Sequence, residues 1–137
     1  MASPWYNHRL RWLAVSVYAL LLTAGSLLPG DRLPRLPDWS TLFSPDKVAH
    51  FGAYAVFALL LSAAFRAGQT RWAIPKAVVA VSAFGVLLEL LQGVSGTGRS
   101  YDPVDMAANT LGALLGGAAY GLLLLLKKRY SATAGRR

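Results

Sequence analysis

Residues 102–126 read "DPVDMAANTLGALLGGAAYGLLLLL". From Val104 to Leu126 the stretch is long and apolar enough to cross a bilayer, since about 20 helical residues rising about 1.5 Å each span a hydrocarbon layer of about 30 Å. Its leucines and alanines do not alternate with polar residues. A helix, which satisfies its own backbone groups in lipid, is therefore expected rather than a barrel strand. Asp102, Asp105 and Asn109 nonetheless stand at its mouth. Polar side chains at that depth need partners from neighbouring segments.

The rest of the chain repeats the pattern, with apolar runs from Trp12 to Leu28, Val48 to Phe65 and Ile74 to Leu91. Of 137 residues, 55% are hydrophobic and 15% charged, and the mean hydropathy is +0.42, which is a membrane composition. The expected fold is all-α, an integral membrane four-helix bundle, with one domain over residues 1–137. There is no cysteine, so a disulfide framework, a thiolate metal site and a cysteine nucleophile are excluded. The formal charge is +8. Its basic residues flank the apolar runs instead of forming a stripe interleaved with aromatics, so no nucleic acid is expected as a partner. The partner implied is the lipid bilayer.

Basic residues collect in cytoplasmic loops. Arg9, Arg11, Arg66, Arg71, Lys76, Lys127, Lys128, Arg129, Arg136 and Arg137 fall on one side of the expected bundle, and Arg32, Arg35, Lys47 and Arg99 on the other. This predicts a multi-pass protein of the cell membrane with both termini cytoplasmic and outer loops near residues 29–47 and 92–103. The first run reads as a retained anchor, since it is long for a signal peptide and no A-x-A site follows. Trp5, Tyr6, Trp12, Trp39, Trp72 and Tyr130 sit near the ends of runs, where an interfacial aromatic belt places them. The basic tail "KKRYSATAGRR" reads as a topology signal and flexible end.

All six acids, Asp31, Asp38, Asp46, Glu89, Asp102 and Asp105, map to the outer side. In "SPDK" (44–47), Ser44 suits an N-cap, Pro45 the first helical position and Asp46 the first turn. "DPVD" (102–105) repeats that logic, with Asp102 as cap and Asp105 in the first turn. Helix punctuation does not explain Glu89. It lies about one turn before the Gly-rich exit of its span, near a helix C-terminus, where the dipole disfavours negative charge. Such an acid is protonated, paired or facing a wet cavity, and is a functional candidate. Gln92, three residues on, shares its face.

Asp46, His50 and Tyr54 are spaced four apart and line one stripe of the second run. Taken singly, an interfacial histidine is a common solvated bystander and an interfacial tyrosine a common belt residue. In the fourth run Asp105, Asn109, Gly112 and Gly116 give a polar entrance continuous with a small-residue seam. Close helix packing of the G-x-x-x-G kind is the simplest use of the glycines, and Gly112 and Gly116 also offer an oligomerisation face.

Four pieces, "DKVAHFGAY" (46–54), "ELLQ" (89–92), "RSYDPVD" (99–105) and "NTLGALLG" (109–116), occur in order on expected span ends. Together they resemble the VanZ-like family, small multi-span membrane proteins named for a teicoplanin-resistance protein, over residues 46–117. The resemblance marks Asp46, Lys47, His50, Tyr54, Glu89, Gln92, Arg99, Asp102, Asp105, Asn109 and Gly112 as typical positions. The loop "GVSGTG" departs from the more apolar, Pro-containing connection expected there, which bears on the placement of Arg99.

The residues themselves supply the functional readings. One is an envelope enzyme acting on a lipid or lipid-linked glycan. His50 and Glu89 would be its general acid and base, and Asp105 would orient the histidine. Lys47 and Arg99 would clamp a phosphate or carboxylate, and Tyr54, Gln92, Asp102 and Asn109 would line the ligand. A second is a non-catalytic membrane protein whose ion pairs hold the bundle and whose outer face binds a ligand or partner. A third is a small transporter acting as an oligomer. His50, Glu89 and Asp105 could also form a hard-metal site, but coming from three separate runs they lack a recognised local ligand spacing, so no metal ligand and no cofactor is assigned. "GVSG" begins like a G-x-S-x-G elbow, but Thr97 holds the fifth position and no strand precedes it.

Overall fold

The computed structural model describes residues 4–28, 44–96 and 101–134. Four helices make up nearly all of it: α1 (Pro4–Ser26), α2 (Pro45–Ala67), α3 (Ala73–Val94) and α4 (Pro103–Ala134). No strand occurs among the described residues. This is the expected all-α bundle, and α2, α3 and α4 are each long and apolar enough to cross a membrane. The first expected span is met by a helix of the same length as α2, 23 residues. With Arg9 and Arg11 in its first half, it does not reach the apolar content of the other three. The ends also run past the apolar stretches. α1 begins at Pro4 rather than Trp12, and α4 continues through Lys127, Lys128 and Arg129 to Ala134. Lys and Arg are good helix formers, so a helix need not stop where its apolar stretch does.

The helix starts follow the sequence signals. Ser44 is extended (φ −62°, ψ 147°), its hydroxyl accepts from the Lys47 amide at 3.5 Å, and Pro45 opens α2. At α4, the Asp102 carboxylate accepts from the Val104 amide at 2.8 Å and Pro103 takes the first position. The α2–α3 connection is short. Gly68 caps α2, Gln69 and Trp72 adopt left-handed backbone (φ 56° and 61°), and the Arg71 guanidinium lies 5.7 Å from the Trp72 ring centre.

Close approach of backbones organises the bundle. The α2–α4 interface is the most extensive. A Cβ on Gly112 would run into the Phe51 carbonyl, and one on Gly116 into the Ala55 carbonyl, so the seam of α4 lies directly against α2 within this chain. Gly117 gives the same access to Val78 and Ile74 of α3. Small interfacial residues suit a bundle in lipid, where association rests on packing and hydrogen bonds rather than on expelling water. The core gathers Tyr54, Phe57, Ala58 and Leu61 of α2, Ala77 and Val81 of α3 and Ala113 of α4. α1 leans on α2. Tyr18 donates to the Ala53 carbonyl at 3.0 Å, Arg11 to the Ala63 carbonyl at 2.9 Å, and Trp12 meets Phe65 edge to face.

Candidate functional site

The up-and-down order brings the start of α2, the end of α3 and the start of α4 to one end of the bundle, together with the end of α1. The polar residues singled out from sequence converge there. Lys47 of α2 reaches across to α4, its Nζ 2.9 Å from Asp102 Oδ2 and 3.1 Å from Asp105 Oδ1. The Lys47 and Asp105 side chains are only 14% and 7% exposed, whereas that of Asp102 is 36% exposed. The ammonium thus ties a buried carboxylate and a wetter one to α2. Lys47 beside it, with the Val104 amide, holds the Asp102 carboxyl below the ordinary carboxylate range.

One turn deeper, His50 Nδ1 lies 3.0 Å from Asn109 Oδ1. Glu89 Oε1 is 3.9 Å from the same nitrogen. An amide oxygen and a carboxylate both facing Nδ1 favour the tautomer that carries its proton there, with the Nδ1–H donating to Asn109. Nε2 is then the open nitrogen, and it faces Asp46 Oδ1 at 3.9 Å. Tyr54, a further turn along α2, stacks on the imidazole at 10° between planes and 6.4 Å between centres. Glu89, Asn109 and Tyr54 are each 1% exposed. Glu89 Oε2 also accepts from the Asp102 amide at 3.5 Å, so the acid that capping does not explain joins α3 to both α2 and the start of α4. Two buried polar atoms beside this cluster, Tyr54 Oη and Asn109 Nδ2, have no hydrogen-bond partner among the described residues.

The site residues expected from sequence therefore gather in two linked groups, Lys47 with Asp102 and Asp105, and His50 with Tyr54, Glu89 and Asn109. Gln92 is buried but turned to α1, where its Nε2 donates to the Ser26 carbonyl at 2.7 Å. Arg99 lies outside the described residues, as do Asp31, Asp38 and Trp39. Three participants were not assigned a site role from sequence. The Ser26 carbonyl carries no residue-type signal. Asp46, read as a first-turn acid, lines a cavity. Gly85 of α3 lets the site close: a Cβ there would lie 2.8 Å from Tyr54 Cε1 and 3.0 Å from Asn109 Cβ.

That cavity, of about 220 Å³, lies between α1 and α2. Leu21, Leu22 and Gly25 of α1 form one wall, and Asp46, His50 and Tyr54 of α2 lie on the other. It presents apolar and ionisable surface side by side.

No curated protein matches the chain, and no solved structure does. The family model described as VanZ/LLP1 matches residues 7–125, which takes in α2 and α3, most of α1 and α4, and every described residue of the polar cluster. With three helices apolar enough to span a bilayer and this match over most of its length, the chain is a membrane protein and belongs to the VanZ/LLP1 family.

Proposed function

We propose that this protein binds a lipid or a lipid-linked envelope precursor in the crevice between α1 and α2, with the ligand's head group at His50. The observation that carries the reading is the cavity wall itself, leucines on α1 facing Asp46, His50 and Tyr54 on α2. A soluble polar ligand would have no use for the first wall, and a purely apolar one would leave the second unmatched. One observation favours chemistry as a second reading. Nδ1 of His50 is fixed by Asn109 and backed by Glu89, which leaves Nε2 presented as a general acid or base would be.

Filling the cavity tests binding. A Cβ at Gly25 meets nothing within 4 Å, and Gly25 lines the cavity, so Gly25→Phe adds a ring on that wall. The variant is expected to fold as wild type and to lose most of the lipid that mass spectrometry finds bound to the purified protein. An unchanged lipid load in Gly25→Phe would sink the crevice as the binding place. Lipid and precursor profiles of cells carrying wild type or Glu89→Gln separate the readings. A product made only with wild type favours the enzyme, and identical profiles favour binding alone. Teicoplanin susceptibility of the same cells, with Gly25→Phe added, links the crevice to resistance if wild type protects and the variant does not.

The basic residues support an orientation with the polar end outside and both termini cytoplasmic. Ser95 and Thr70 flank opposite ends of α3. In the cysteine-free chain, a cysteine replacing Ser95 should react with an impermeant thiol reagent on intact cells and one replacing Thr70 should not. The reverse pattern would place the site in the cytoplasm.

A further inference from the structure

We infer that Asp46, His50 and Asp105 form a binding site for one divalent metal cation. Each offers a ligand atom, and these atoms all lie within 4.8 Å of one another, the spacing of donors around a single small ion. They come from two helices, with Asp46 and His50 on α2 and Asp105 on α4. Asp46 and His50 are a local pair four residues apart, and the crossing of α2 on α4 adds Asp105.

The surroundings of His50 are those of a metal ligand. A ligating imidazole uses one nitrogen for the metal and donates its other N–H to an oxygen that fixes ring and tautomer. Here Nδ1 sits on the Asn109 oxygen at 3.0 Å, Glu89 lies behind it at 3.9 Å, and Nε2 is the nitrogen toward Asp46. Asp105, 5% exposed, holds Lys47 through Oδ1, and a carboxylate has a second oxygen to give. The buried, unpartnered Tyr54 Oη and Asn109 Nδ2 belong to side chains packed on the same imidazole. One imidazole with two carboxylates suits Mn²⁺ or Zn²⁺, the mixed nitrogen and oxygen class.

The cation would change what the crevice accepts. A divalent ion held at Asp46 and His50, which line the cavity, attracts a phosphate. Metal binding itself is measured without lipid, so it holds or fails apart from the ligand reading.

The test titrates Mn²⁺ into the full chain in a neutral maltoside detergent and follows free Mn²⁺ by electron paramagnetic resonance, with Zn²⁺ as competitor. One Mn²⁺ per chain is expected to bind and Zn²⁺ to displace it. Asp46→Asn, His50→Gln and Asp105→Asn should each weaken binding at least about tenfold, since even losing an outer-sphere partner of a metal ligand costs that much. The Asp46 side chain is 54% exposed, so Asp46→Asn keeps the test readable if Asp105→Asn fails to fold. His8→Gln, at the other histidine and the opposite end of the bundle, should bind as wild type. A wild-type protein that leaves the Mn²⁺ signal as it is in detergent alone overturns the site. So does a loss as large in His8→Gln as in Asp46→Asn.

Discussion

Gly116→Val will leave little correctly assembled protein. The new Cβ would run into the Ala55 carbonyl group of α2. Backbone does not rotate out of the way as a side chain does, so α2 and α4 must move apart. The expected destabilisation is about 3 kcal/mol, the upper end of what overpacking costs, because the clash lies in the largest interface of the bundle. The same displacement parts Lys47 from Asp102 and Asp105, and His50 from Asn109, so ligand and metal binding should fall with the fold. Size-exclusion profile and thermal unfolding in detergent read the effect. Gly121→Ala is the matched control, since its Cβ would meet only Ile74 Cδ1, at an ordinary 3.5 Å. If Gly116→Val melts with that control, the two helices do not cross at Ala55.

Lys47→Met is expected to be nearly as damaging, for an electrostatic reason. Methionine keeps the length and apolar stem of lysine but leaves the Asp105 carboxylate, 5% exposed, with no cation between it and Asp102. Removing one partner of a buried ion pair costs about 3–5 kcal/mol, mainly through the charge left behind. The lower end applies here, because the more open Asp102 can be hydrated. The double variant Lys47→Met with Asp105→Asn should recover much of the loss, because no buried charge is then stranded. Thermal unfolding of the two single variants and the double closes the cycle. A double variant no more stable than Lys47→Met alone would show that Asp105 is not the residue the lysine serves. The lowered Asp102 value adds a pH sign. Its contribution is fully present above the ordinary carboxylate pKa and is lost as pH falls through the lowered folded one, so acid weakens this strap in wild type.

Much of this architecture was legible in the chain because its signals are local. Ser44 with Pro45, and Asp102 with Pro103, mark the starts of α2 and α4 through the preference of orphan amides for a short acceptor side chain. Glu89 stood out because a carboxylate near a helix C-terminus in lipid has no local excuse. What could not be read depends on how helices cross. That Lys47 sits between two carboxylates follows from the angle of α2 on α4. Gly85 is one glycine among 13, and only the packed Tyr54 and Asn109 make its missing side chain necessary. The Ser26 carbonyl gripped by Gln92 is backbone, and any residue supplies one. Asp46 shares a stripe with His50 in the sequence, but as a first-turn acid it already had a sufficient explanation, so the sequence assigns it no site role of its own.

The division of labour between α1 and the other helices has an evolutionary consequence. Every ionisable residue of the cluster is on α2, α3 or α4 or in the approach to α4, where a change disturbs several partners at once. The leucine wall belongs to α1, which meets α3 only slightly and is tied to this end by a bond from Gln92 to a backbone oxygen. Residues 21, 22 and 25 can therefore diversify while the polar end drifts little, and if the crevice holds a lipid as proposed, such changes would fit it to tails of different length or branching. Homologues that share the histidine, glutamate and asparagine but differ along the first helix would then be one machine refitted for different membranes, and grafting one homologue's first helix onto another should transfer its preference.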